Sequence, residues 1–200
     1  MGSASESTKS IESYKNVLTI PFAEEREKFS TYSTHSSDSL YSAEQEVRVN
    51  GIVSPILSVF DIAAYILHKV GKMTTMKLHK LLYYAQAWNL VWEEKPLFKE
   101  KIEAWANGPV IRELFNFHRG LYEISSLDLT VGNLSKVSNT QGENIDEVLS
   151  FYGNKSAQWL IDQTHYELPW RNARKGLLSN ERGTTEISLE DMMEYYSSLK

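Results

Sequence analysis

Cysteine is absent from this 200-residue chain. Its absence excludes a disulfide framework, a thiolate zinc site and a cysteine nucleophile, and a reducing, cytoplasmic setting is the natural expectation. No apolar run is long enough to span a bilayer. The Ser/Thr-rich N-terminus also lacks the apolar stretch of a secretory signal, so no membrane role is expected. Positive charge is in deficit: 21 Lys and Arg face 26 Asp and Glu, for a net charge of −5. Broad phosphate-backbone binding needs clustered Lys and Arg, so this balance argues against nucleic acid as the main partner. No Walker-type loop, dinucleotide glycine loop or Gly-x-Ser-x-Gly elbow occurs. His68, His79 and His118 are scattered, and His165 and Glu167 form a His-x-Glu spacing that is common by chance. No metal or other cofactor is implied.

What is present is ample length for one domain with a real core, and many aromatics, including 11 Tyr and 5 Trp. The chain divides near Pro55. Residues 1–55 form a Ser/Thr-rich leader in which Ser30 to Ser37 approaches low complexity. Val17 to Phe22 and Val47 to Val53 read as short strands, and Ala23 to Phe29 as a short charged helix. The leader is either a flexible tail or an arm that adds strands to the main domain or to a partner.

Residues 56–200 read as the main domain. Ser58, with Asp61 three residues on, is a capping-box start for a helix that carries Ile62, Tyr65, Ile66 and Val70 and closes at Gly71. Thr74 or Thr75 caps the next helix, whose apolar set Leu78, Leu81, Leu82, Ala85, Trp88 and Trp92 forms one stripe stopped by Pro96. Leu97 to Trp105 looks extended. Asn107-Gly108-Pro109 reads as a strand-to-helix turn, with Pro109 at the first position of a helix running to about His118. Leu121 to Asn139 is strand or loop. Further helices are expected over Ile145 to Tyr152, Ser156 to Thr164, Trp170 to Lys175 after Pro169, and from Ser188 to Tyr196. The fold class is therefore mainly α (α+β), a helical bundle with a small antiparallel β element.

The run from Met73 to Trp88, then Pro96-Leu97-Phe98, Ile102 to Trp105, Asn107 to Val110, His165 to Trp170, Ala173-Arg174 and Tyr195-Tyr196 together resemble the Panacea domain family of SocA-like antitoxins, also found in phage-associated proteins. The resemblance covers roughly Ser58 to Lys200. It implies an antitoxin, not an enzyme, that neutralises a cognate protein toxin by direct stoichiometric contact. A variant theme in the family is an adaptor that hands its toxin to a protease. A DNA-binding regulator of its own operon is a further alternative, and the acidic leader argues against it. Neither the toxin nor the oligomeric state can be read from the residues.

Leu78, Leu81, Leu82 and Trp88, with Trp105, Gly108, Pro109 and Pro169, read as the structural signature. Candidate toxin contacts are Lys77, Lys80 and Tyr84 on the face beside the leucine stripe, Asn107 at the turn, and Trp170, Arg171 and Arg174, since Trp and Arg dominate binding hot spots. A free helix start near Pro109 would also hold an anionic group. The acidic balance would steer association with a basic toxin.

Overall fold

The computed structural model describes residues 47–49, 52–54 and 57–199. The chain forms two compact units, residues 1–54 with 198–200, and residues 55–197. In the first, β1 (Val47–Val49) pairs antiparallel with β2 (Ile52–Ser54), with Val49 opposite Ile52. The single strand expected over Val47 to Val53 is thus a hairpin, and the dipeptide between its arms is Asn50-Gly51, the favoured composition for a two-residue connection. The strand expected at Val17 to Phe22 and the helix at Ala23 to Phe29 lie outside the described residues.

The second unit is helical, with short two-stranded antiparallel sheets between its helices in sequence. α1 (Val59–Val70) starts at Ser58, whose N–H donates to Asp61 at 3.1 Å, while Glu100 accepts from the Val59 N–H at 2.8 Å. These carboxylates sit where the helix leaves N–H groups unpaired and its dipole is positive. Gly71 ends α1 at φ 84°. β3 (Met73–Thr74) pairs with β6 (Glu123–Ile124).

α2 (Thr75–Glu93) is capped by Thr74, which accepts from the Lys77 N–H at 3.2 Å. It ends on Glu94 in the left-handed region (φ 55°), two residues before Pro96. Every residue from Leu78 to Val91 is buried. The single apolar stripe expected here is therefore a helix enclosed on all sides. α1, α4 (Asn139–Tyr152), α5 (Ala157–Tyr166), α7 (Leu189–Ser197) and the strand β5 (Gly108–Ile111) all pack on it.

β5 pairs with β4 (Ile102–Trp105) in a hairpin closed between Trp105 and Gly108. This corrects the expected helix start at Pro109, because α3 begins three residues later and spans Arg112–Phe117. Gly108 adopts φ 89° and makes the turn. Pro109 lies opposite Ala104, whose N–H donates away from β5 to Thr185 at 2.9 Å. The pair is a non-hydrogen-bonded one, so the missing proline N–H costs nothing.

α4 begins six residues before the expected Ile145. Its start is a reciprocal capping box: Gln141 N–H donates to the Ser138 hydroxyl at 3.3 Å, and Ser138 N–H to the Gln141 side chain at 3.0 Å. α6 (Leu168–Ala173) takes in Pro169 in its first turn, where a proline is tolerated, so the helix expected from Trp170 begins two residues earlier. No helix among the described residues is long and apolar enough to cross a membrane.

Candidate functional site

Enclosing a helix that carries His79, Lys80, Tyr84, Gln86 and Asn89 forces each polar group to find a partner inside. Gln86 accepts from the Leu97 and Phe98 N–H groups at 2.8 and 3.2 Å and donates to the Phe98 carbonyl at 3.1 Å. It thus ties to α2 the loop in which Phe98 also bridges to Leu57. Asn89 donates to the Lys95 carbonyl at 2.8 Å.

Lys80 and Tyr84, expected on a solvated or contact face, are fully buried. The Lys80 ammonium donates to the Pro109 carbonyl at 2.8 Å, and burial pushes its pKa down to about 7. Gly108 forms the shelf beneath it. A Cβ there would come within 2.7 Å of Lys80 Cε and 2.8 Å of the Thr164 hydroxyl. The segment Asn107 to Pro109 therefore offers no open helix end for an anion; it is the backbone on which a buried lysine rests. Lys77 is half-buried, and its ammonium donates to the Gly153 carbonyl at the C-terminal end of α4 at 2.6 Å. A cation there complements the helix dipole.

Glu167 is also fully buried. One oxygen accepts from Tyr84 at 3.1 Å and the other from Tyr196 at 2.7 Å. Burial raises its pKa to about 8, even though the tyrosine and Gln163 hydrogen bonds favour the charged form. Tyr84 stacks on Tyr152 with centroids 3.9 Å apart and planes 10° from parallel, and Trp88 donates to the Tyr152 hydroxyl at 3.3 Å. His165 points to different neighbours. It stacks on Trp170 at 4.2 Å, and burial, with Lys80 nearby, lowers its pKa. His165 and Glu167 therefore do not work as a pair.

His79 and His118 meet Nε2 to Nε2 at 2.8 Å, and His79 Nδ1 accepts from the Ile111 N–H at 3.2 Å. An accepting Nδ1 places the neutral ring's proton on Nε2, so His79 donates and His118 accepts. Burial depresses both pKa values and keeps the rings neutral, with Lys80 and His118 adding to the effect at His79. With its Nε2 protonated, His79 has no lone pair for a metal.

Trp170 is buried and donates to the Trp105 carbonyl at 3.0 Å. Arg174 is buried too. It donates to the carbonyls of Ala104 at 3.0 Å, Leu178 at 2.8 Å and Glu181 at 2.7 Å, with its guanidinium over the Trp170 ring. It fixes the 178–181 loop against β4. Arg171 is exposed. Among Trp170, Arg171 and Arg174, only Arg171 presents its side chain to solvent.

Open aromatic surface lies elsewhere. A cleft of about 550 Å³ is lined by Trp105, Ala106, Asn107, Phe115, Arg119, Asn180 and Arg182. A recess of about 250 Å³ shares Trp105, Asn107, Phe115 and Arg119 and reaches in to His79 and His118. Trp105 and Phe115 meet edge to face at 4.8 Å. Arg182 lies 5.3 Å from the Trp105 ring and Arg119 5.7 Å from the Phe115 ring. Arg112 also covers Trp105, but Glu103 neutralises it through a two-pronged pair at 2.7 and 2.6 Å. Of the sequence candidates only Asn107 lines this cleft, together with the signature residue Trp105. Phe115, Arg119 and Arg182 were missed. The spacing of Phe115 and Arg119 was a readable signal, whereas Arg182 comes from a loop that no local pattern places.

The unit thus combines a buried polar interior with an open cleft rimmed by Trp105, Phe115, Arg119 and Arg182. Residues 78–171, a little under half of the chain, match the model of the family described as antitoxin SocA-like, Panacea domain, which is the family the sequence motifs resemble. No curated protein and no solved structure matches the chain.

Proposed function

We propose that this chain is an antitoxin that neutralises a protein toxin by direct stoichiometric binding. The match of residues 78–171 to the SocA-like Panacea family carries the reading. The geometry agrees with it. Lys80 and Glu167, whose ionisation burial perturbs, are fully buried and hydrogen-bonded to the Pro109 carbonyl and to Tyr84 and Tyr196, respectively. The open cleft is rimmed by Trp, Phe and Arg, the side chains from which interface anchors are made. Inhibition by contact needs only such a patch, about 800 Å² per partner.

The test is co-expression with the product of the adjacent gene. That product alone should arrest growth, co-expression should restore it, and the two proteins should co-purify at fixed ratio. A neighbour that is harmless alone and does not bind would end this reading. The toxin's half-life should be unchanged by its partner; a shortened one would mean delivery to a protease instead of blockade.

A further inference from the structure

Resting on the antitoxin reading, we infer that the Trp105–Phe115 cleft is the partner-docking surface and that it takes an acidic segment of the toxin, with carboxylates on Arg119 and Arg182 and an apolar side chain on the aromatic floor. This chain is acidic overall, yet the cleft is lined by two arginines and no carboxylate. Among the described residues neither arginine is ion-paired. Arg119 donates to the Asn116 side chain at 3.3 Å, and Arg182 lies over Trp105. Both are exposed, whereas the third arginine at the site, Arg112, is already committed to Glu103.

Stacking on a ring restrains a guanidinium without using its N–H donors, so each keeps a fork free for a carboxylate. The aromatic floor supplies area at low entropic cost. Two arginines in a chain of net charge −5 are too few to hold a phosphate backbone, and their separate positions on the rim suit side-chain carboxylates of a folded or extended protein segment. The acidic balance of the whole chain had suggested a basic toxin; the cleft points to a local acidic element on it.

The experiment uses the full chain with the co-expressed neighbour. Arg119→Glu with Arg182→Glu should weaken the complex about 100-fold or more, because reversing both charges sets like charges together. Arg119→Gln and Arg182→Gln should each weaken it about tenfold. Thermal midpoints should stay within about 2 °C of the parent, as expected for exposed sites. A second arm uses Arg119→Lys and Arg182→Lys with zero-length carbodiimide coupling, and peptide mapping should join positions 119 and 182 to Asp or Glu of the toxin.

If the complex forms but the double reversal binds like the parent and no such coupling appears, docking is elsewhere and the inference falls while the antitoxin reading stands. Binding of a labelled single-stranded oligonucleotide that the double reversal abolishes would overturn the assignment to a protein carboxylate. A neighbour that neither poisons cells nor binds removes the antitoxin reading and this inference together.

Discussion

Glu167 and Lys80 are two ionisable side chains held where neither charge is welcome, and each leaves a distinct mark on stability. Glu167 keeps its proton up to about pH 8 in the folded chain, against 4.5 for an ordinary glutamate. Its folded pKa is raised, so its contribution to stability is fully present below pH 4.5 and is lost as the pH rises through 8. Lys80 has the opposite sign. Its pKa falls from 10.5 to about 7, so its contribution is present above pH 10.5 and is lost as the pH falls through 7. Between about pH 7 and 8 the two slopes oppose each other. Thermal unfolding should therefore show a melting temperature that falls from about pH 5 to 7 in the parent, and Glu167→Gln should flatten that limb. Lys80→Met should flatten the alkaline limb between about pH 8 and 10. Tyr84→Phe removes one donor from Glu167 and should cost about 1–3 kcal/mol in chemical denaturation.

Within an apolar core, polar side chains of α2 also reach into neighbouring backbone and tie the elements together. Gln86→Leu keeps the volume but orphans two N–H groups and a carbonyl at Leu97 and Phe98. It should cost about 2–4 kcal/mol and speed amide exchange at those two residues first. Gly108→Ala meets both a left-handed φ and a clash with Lys80 and Thr164. It should cost several kcal/mol or prevent folding, read by circular dichroism and soluble yield. Local signals made much of this architecture legible. Ser58, Thr74, Ser156 and Gly71 mark helix ends because caps act through neighbours in sequence. The failures share a cause. Pro109 looked like a helix start because its non-hydrogen-bonded partner, Ala104, is set by strand pairing. Lys80 and Tyr84 looked solvated because nothing within α2 announces that Pro109 and Glu167 will satisfy them. The cleft was half hidden for the same reason, since Arg182 reaches Trp105 from a loop far along the chain.

At the scale of the molecule, the division between residues 1–54 with 198–200 and residues 55–197 makes a separable prediction. We propose that residues 55–197, expressed alone, fold with one cooperative transition; loss of helical circular dichroism in that fragment would contradict it. Within that unit the interior is committed and the rim is open. From Leu78 to Val91, α2 has no side that faces water. Helices that line a surface tolerate replacement with a rhythm of 3.6 residues, because their outward positions are free. α2 has no such positions, so a saturation library selected for function should show a nearly unbroken intolerant block there, without rhythm. In α4, where Ile145, Val148 and Tyr152 are buried and Thr140, Glu143 and Ser150 are exposed, the rhythm should return. On the proposed docking at the Trp105 cleft, new partner preferences would arise at rim positions such as Phe115, Arg119 and Arg182, since the centre has no room in which to vary.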